Sequence, residues 1–126
     1  MPRVDTHAVR REDGFTLLEM LAVMAIMGTL MAIAVGSYTG ARERANDAAA
    51  KSNIDVAVPA FQAYYLDNGA YTGITLNALQ TSYSRGIQNI SVLSAGASTY
   101  CVRSTVGGRH WYTAGPSGPI TTTQCH

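Results

Sequence analysis

The sequence predicts an α+β fold in which one long N-terminal α-helix, about residues 15–66, packs on a small three- to four-stranded antiparallel sheet. Three observations predict this fold. Residues 20–41 carry no charge. A helical pattern then continues to Leu66 and stops at Asp67-Asn68-Gly69. Short apolar stretches separated by glycine-containing turns follow, which is typical of strands.

The first 14 residues are polar, hold three arginines against three carboxylates, and show no apolar periodicity. They are interpreted as a leader peptide that is not part of the fold. The chain is accordingly divided into a leader (1–14), an apolar helix half (15–41), an amphipathic helix half (42–67) and a globular β head (68–126).

The uncharged run is long enough to cross a bilayer as a helix. Arg10 and Arg11 precede it and favour a cytoplasmic N-terminus, whereas Arg42 and Arg44 beyond it oppose that orientation. The predicted topology, N-terminus inside and head outside, therefore also rests on an exported head with two cysteines. The alternatives are a plain signal anchor, a buried core helix and a cleaved secretory signal ending near Ala34-Val35-Gly36.

Ile54, Val58, Phe61 and Tyr65 recur at helical spacing and predict one apolar stripe that the head covers. Pro59 interrupts this half. It predicts a kink near Val58, the alternative being that the helix ends there and restarts. On the polar side, Asp47 and Lys51 are spaced to pair along the helix. At 1.5 Å per residue the whole helix would be about 78 Å long.

The head is predicted to begin with a loop over 71–84 that contains one helical turn at 76–79. Strands are predicted over 87–94, 98–105 and 109–114. Gly107-Gly108 between the last two is a hairpin signal. Tyr100 and Val102 should share one face of the middle strand, with Cys101 and Arg103 on the other.

Cys101 and Cys125 are the two cysteines of the chain. In an exported head they predict one disulfide, worth about 3 kcal/mol in the chain-entropy model. The alternative is two unrelated buried thiols.

The sequence contains no catalytic set, so no enzyme activity, cofactor or metal site is predicted. His7, His110 and His126 are scattered, and residues 68–126 contain no Asp or Glu, which excludes a triad or a carboxylate-rich metal site. Asp67 is interpreted as part of the helix stop. Three arginines of the head, Arg85, Arg103 and Arg109, could form a basic face for DNA, but a solvated surface is the favoured interpretation.

Glu19 is the residue that a function must explain, because an ionised group in an apolar helix is costly. The dipole at the helix N-terminus is one explanation. A sharper one needs a cationic partner, and a cut after Gly14 would create it as the α-amine of Phe15. We therefore expect Glu19 to have little purpose in the uncut monomer and to acquire one between copies, where pairing would fix axial register.

Gly14-Phe15-Thr16-Leu17-Leu18-Glu19, together with the polar leader and the apolar run, closely resembles the prepilin motif of type IV pilins and pseudopilins. Residues 64–71 resemble the segment that ends the long helix in this family. The C-terminal cysteine pair resembles the pilin disulfide. The resemblance is specific up to Tyr71 and looser beyond it.

The resemblance implies that prepilin peptidase cuts between Gly14 and Phe15 and methylates the amine of Phe15. Mature subunits would then wait in the cytoplasmic membrane and enter a helical extracellular filament, with Glu19 paired to the amine of a neighbour. Family members often unwind their helix locally between a Gly and a Pro. This chain has Gly28 at the first place and Gly36 at the second, so melting of this stretch is expected from glycine flexibility.

The implied function is a structural subunit of a type IV pilus, serving motility, adhesion or DNA uptake. Its partners would be other copies of itself, the peptidase, the assembly machinery and membrane, and minor pilins, with DNA or surfaces as further candidates. Thr72 after Tyr71, the cysteine pair and the lack of head carboxylates favour a pilin. The alternatives are a pseudopilin of a type II secretion or competence system and a membrane-anchored binding module that never polymerises.

Overall fold

The computed structural model describes Met1 and residues 14–126, so most of the predicted leader lies outside the described residues. The elements are α1 (Leu17–Asn68), α2 (Leu76–Ala78), a π-helical turn (Leu79–Tyr83), β1 (Ile90–Ala95), β2 (Tyr100–Val106) and β3 (Arg109–Gly115). The three strands form one antiparallel sheet in the order β1-β2-β3. The predicted α+β fold is confirmed, with three strands among the described residues.

The chain forms two compact units, Met1–Ser37 and Tyr38–His126, and α1 contributes residues to both. The four-part division made from the sequence stays a prediction. In the first unit, every described residue of α1 is exposed. In the second unit, one face of α1 is buried and forms part of a core.

Five residues form the buried face of α1: Ala50, Ile54, Ala57, Ala60 and Phe61. Ile54 and Phe61 of the predicted stripe are fully buried, but Val58 is only partly buried and Tyr65 is 37% exposed. The stripe is therefore shifted from its predicted position. Three of the five buried residues are alanines.

Helix α1 continues through Pro59, so the alternative of a helix that ends and restarts is wrong, and the kink stays a prediction. The predicted stop is confirmed at Gly69. Its φ is +72°, and its N–H donates to the Tyr65 carbonyl over 2.7 Å. This left-handed residue is the usual way to terminate a helix.

The predicted loop with one helical turn contains two short turns. Thr75 caps α2 by accepting a hydrogen bond from the Ala78 N–H. The π-helical turn that follows buries Leu79. Gln80 donates from its side chain to the Ile87 carbonyl over 2.7 Å, which ties this segment to the residues before β1.

The hairpin prediction at Gly107-Gly108 is confirmed, since Val106 pairs with Arg109 and both glycines have positive φ, +57° and +79°. This conformation is that of the tight two-residue turns that suit twisted hairpins. A side chain at Gly107 would also collide with Asn46 of α1. Glycine here serves both the turn and the close approach of the hairpin to the helix.

Phe61 lies at the centre of the core and stacks on Tyr100 of β2 with ring centroids 4.3 Å apart. The rings of Tyr71 and Tyr100 are arranged edge to face, with their centroids 4.7 Å apart. Burial raises the pKa of Tyr100 to about 12. Cys101, predicted on the opposite face of β2, is also buried. The sheet is thus enclosed at β2 on both faces.

Candidate functional site

Residues 14–20 cover the approach to α1 and its first turn, and they contain a reciprocal pair of hydrogen bonds. The Thr16 carbonyl accepts from the Met20 N–H. Thr16 Oγ1 accepts from the Glu19 N–H over 3.2 Å, and Glu19 Oε2 accepts from the Thr16 N–H over 2.9 Å. This is a capping box, which satisfies backbone donors that a helix N-terminus otherwise leaves free.

The capping box corrects the expectation that Glu19 has little purpose in the uncut monomer. Its carboxylate already holds the first turn of α1 in a chain that still carries residues 1–14. The signal was present in the sequence as Thr-x-x-Glu before an apolar run. The charge of Glu19 pointed to a cationic partner, whereas the partner in the structure is the neutral backbone N–H of Thr16.

The capping box leaves part of the Glu19 carboxylate available. A carboxylate has about four acceptor positions on its two oxygens, and the bond to Thr16 uses Oε2. The side chain is exposed. Glu19 can therefore accept a further bond from a cation without releasing the helix cap.

Gly14 and Phe15 precede the helix and lie on the surface. Phe15 is 80% exposed, and the space beside Gly14 is open out to 4 Å. Both residues lie outside α1. The peptide bond between them is thus accessible from solvent in the structure and not locked into helical hydrogen bonding.

The apolar half of α1 is uncovered. Residues 14–45 are all exposed, and the helix is long and apolar enough to cross a membrane by length and composition. Exposed apolar surface of this extent is unusual for a soluble chain. Gly28 and Gly36 lie within α1, so their predicted melting would have to arise in a different state.

The head is tied to α1 by a cluster that we call the polar clamp: Asp47 and Lys51 of α1 with Arg109 and Trp111 of β3. Arg109 donates to both oxygens of Asp47, from Nε at 2.8 Å and from Nη2 at 2.9 Å. Trp111 Nε1 donates to the same carboxylate over 2.9 Å. Lys51 Nζ lies 4.0 Å from the centroid of the Trp111 ring.

The polar clamp changes the ionisation of its members. Hydrogen bonds from Arg109 and then Trp111 lower the pKa of Asp47 to about 2. The bonds to Asp47 in turn raise the pKa of Arg109. The sequence predicted that Asp47 pairs with Lys51, four residues further along the helix. In the structure, the Asp47 carboxylate accepts its hydrogen bonds from Arg109 and Trp111 of β3. Sequence reasoning missed this cluster, because its partners lie more than 60 residues apart.

The three arginines proposed as a basic face have different environments. Arg109 is bound to Asp47. Arg103 is partly buried, and its Nε is enclosed without a hydrogen-bond partner among the described residues. Arg85 is exposed. A continuous basic surface is therefore not formed by these three side chains.

The predicted disulfide is confirmed: Cys101 and Cys125 are bonded, with Cα atoms 5.7 Å apart. It fixes the C-terminal tail against β2. Tyr112 of β3 and Thr121 of the tail exchange backbone hydrogen bonds over 2.7 and 2.8 Å, which adds a second attachment.

The remaining candidates for chemistry are dispersed. His7 lies outside the described residues, and His110 shares a hydrogen bond with Thr105 Oγ1 over 2.9 Å. Asp67 accepts a hydrogen bond from the Tyr83 hydroxyl over 2.9 Å. In the part of the chain that the structure describes, no three His, Cys, Asp or Glu side chains are grouped as metal ligands.

The sequence of this chain is similar to those of known proteins. Residues 9–35 match the family model described as the prokaryotic N-terminal methylation motif. The chain is 33% identical over 111 residues to the type IV wide pilus major component PilA4 of Thermus thermophilus, a match covering 86% of this chain and 85% of that protein.

The chain also matches type II secretion system core protein G. It is 40% identical over 62 residues to that of Aeromonas hydrophila, covering 49% of this chain and 43% of that protein. It is 37% identical over 75 residues to that of Vibrio cholerae, covering 58% and 51%. The chain thus spans about half the length of these secretion proteins, or less.

Proposed function

The chain belongs to the family of type IV pilins and type II secretion pseudopilins, and on this basis we propose that it is the structural subunit of a type IV pilus. In this role it is cut, inserted in the membrane and polymerised through its N-terminal helix. The proposal assigns no catalytic reaction to the chain itself.

The observation that carries the pilus assignment is the extent of the match to a pilus component. A match of 111 residues in a chain of 126 must include most of the sheet. The 62-residue match is too short to hold both α1 and all three strands, which together run from Leu17 to Gly115. The head as well as the helix therefore supports a pilin.

Processing would act on the exposed bond between Gly14 and Phe15. A cut there removes the 14-residue leader and leaves Phe15 as a new N-terminus that can be methylated. Thr16 and Glu19 stay on the mature chain, so the capping box can persist after the cut. The mature helix would keep a defined start while gaining a cationic amine next to it.

Assembly would use the acceptor positions that Glu19 has left. The amine of Phe15 on a neighbouring copy could donate to this carboxylate while Thr16 keeps its bond. An unpaired carboxylate in an apolar bundle is costly, and pairing offsets that cost. Glu19 would thus have one role within the chain and a second role between chains.

The exposed apolar half of α1 would move from lipid to a bundle of equivalent helices. The two environments are similarly apolar, so the transfer itself gains little hydrophobic stabilisation. Packing and the paired carboxylate would then decide whether a subunit stays in the membrane or in the filament. The clamped, disulfide-closed head would travel as a folded body.

Processing is tested by the intact mass of the native protein, which should lack residues 1–14 and carry one added methyl group. A native chain that retains the leader would overturn the proposal.

Assembly is tested by comparing Glu19→Gln with Glu19→Ala. Glutamine can still accept from the Thr16 N–H but has no charge for an amine, whereas alanine loses both functions. We expect both variants to lose filaments in electron micrographs of sheared cells. Glu43→Ala is the matched control, because Glu43 is an exposed carboxylate elsewhere on α1. Normal filaments from Glu19→Gln would contradict the pairing role.

A pseudopilin is the second candidate, and the matches to secretion protein G favour it. Deletion of the chain would then abolish secretion of folded substrates and leave surface pili intact. Long pili that are lost on deletion and restored by the wild-type chain would exclude this candidate.

A further inference from the structure

The outward side of α1 in the second unit, opposite Ile54 and Phe61, is free of the sheet. Residues that are alternately four and three positions apart lie along this side of the helix. We call this row of residues the outer face. All of its members are exposed: Ala41, Ala45, Ala48, Ser52, Asp55, Pro59, Gln62 and Leu66.

Asp55 is the one carboxylate of the outer face. Among the described residues, the other carboxylates each have an assigned neighbour: Glu19 bonds Thr16, Asp47 bonds Arg109, Asp67 bonds Tyr83, and Glu43 lies near Arg109. No hydrogen bond or ion pair involves Asp55 within this described part. Asp55 is also exposed to solvent.

Arg44 is a cation on the same side of the helix. It lies eleven residues before Asp55, which is about 20° from three complete turns and about 16 Å along the axis. Arg44 is exposed and has no ion pair within the residues described. Arg42, by contrast, borders the recess that Asn46 and Gly107 line near the hairpin. Asp55 on the outer face and Arg44 beside it thus present one anion and one cation three turns apart.

These two charges cannot meet within one chain, because both are fixed to the same straight helical segment at a separation beyond the reach of their side chains. They can meet between two parallel helices that are displaced along their axes. Opposite charges on one face of a polymerising chain are self-complementary in a head-to-tail sense, which is the contact type that builds filaments.

We propose that Asp55 of one copy forms an ion pair with Arg44 of a neighbouring copy and sets the axial offset between their helices. This inference rests on the proposed function, since it requires a filament. A single charged pair in an otherwise uncharged helix contact is well suited to fix register. If two parallel helices are displaced by about 16 Å along their axes, Arg44 of one copy lies level with Asp55 of the other. The long arginine side chain also allows a somewhat smaller displacement.

Charge reversal tests the pair. Asp55→Arg alone, or Arg44→Asp alone, places like charges opposite each other, and we expect about a tenfold or greater loss of sheared filaments. The double variant Asp55→Arg with Arg44→Asp restores opposite charges and should return filament yield to within about twofold of wild type. Arg85→Asp is the control, since it reverses an exposed arginine outside α1 and should leave the yield unchanged.

Crosslinking gives a readout independent of yield. Asp55→Cys combined with Arg44→Cys should form crosslinked ladders of subunits when filaments are treated with a flexible bis-maleimide, which spans more than the short Cα separation that a disulfide requires; each single cysteine variant should not. Filaments that form normally from both reversed single variants, or a double cysteine variant that assembles without crosslinked ladders, would overturn the pair. A wild-type chain that never forms filaments would instead refute the proposed function, and this inference with it.

Discussion

The two halves of α1 differ in what covers them. In the first unit the helix is apolar on all sides and exposed on all sides. In the second unit it is amphipathic, and the sheet buries the face formed by Ala50, Ile54, Ala57, Ala60 and Phe61. One face of the second half is covered within the chain, whereas the first half would be covered only by lipid or by other copies. The helix α1 therefore contains one half that belongs to a folded domain and another half whose apolar surface is left uncovered by the chain itself.

The largest expected effect comes from comparing two isoleucines, one in each half of α1. Ile54 is fully buried and Ile33 is 70% exposed. Ile54→Ala should cost about 3 kcal/mol of head stability, because it leaves a cavity in the core. Ile33→Ala should leave head stability unchanged. The fluorescence of Trp111, the single tryptophan, during denaturant unfolding in micelles would measure both. Equal destabilisation by the two variants would contradict the comparison.

Removing the disulfide should have an effect of similar size. Replacing Cys101 and Cys125 together by serine should destabilise the head by about 3 kcal/mol, since the unfolded chain loses a closed loop. The bond lies wholly within the second unit, so membrane insertion of the apolar half should be unaffected. Denaturant midpoints and membrane fractionation of the same variant check the two statements separately. Loss of insertion would show that the halves depend on each other.

The polar clamp should give a smaller, pH-dependent effect. The pKa of Asp47 is lowered from 3.8 to about 2, so the clamp contributes its full stability above pH 4. That contribution is lost as the pH falls from about 4 to 2, because the unfolded chain binds a proton there more readily. Asp47→Asn should remove this part of the acid dependence. Acid-unfolding curves of the two proteins that run parallel from pH 5 to 2 would argue against the clamp.

The smallest expected change has the opposite sign. Ser104 is fully buried, and its hydroxyl has no hydrogen-bond partner among the described residues. Ser104→Ala removes an unsatisfied polar group and should stabilise the head by about 1 kcal/mol. Thermal unfolding should show a higher midpoint. A lower midpoint would indicate that Ser104 has a partner such as a bound water.

The sequence predicted features that depend on local chemistry. The helix stop at Gly69 and the hairpin at Gly107-Gly108 follow from glycine's access to positive φ, and both are confirmed. The cysteine pair is confirmed as well. The capping box at Thr16 and Glu19 was equally local and was readable, but the carboxylate was interpreted only through its charge.

Features that depend on distant residues could not be predicted. Asp47 had a plausible partner four residues away, and nothing in the local pattern favoured Arg109, 62 residues further on. Ala57 and Ala60 lie outside the predicted apolar stripe, yet both are buried in the core. Which alanines a sheet covers is decided by how closely the strands approach. The proposal for Asp55 also needed the structure, because the sequence does not show that Asp47 is bonded to β3 whereas Asp55 has no ion pair among the described residues.

The bond between Cys101 and Cys125 has a consequence for proteolytic damage to the tail. Several tail residues beyond Gly115 are exposed, among them Ser117, Thr122 and Gln124, and exposed tails are where proteases cut. A single cut in this stretch would release nothing, because the piece beyond it stays covalently joined to β2. A nicked subunit would gain only the mass of one water, and on a denaturing gel the cut would become visible only under reducing conditions.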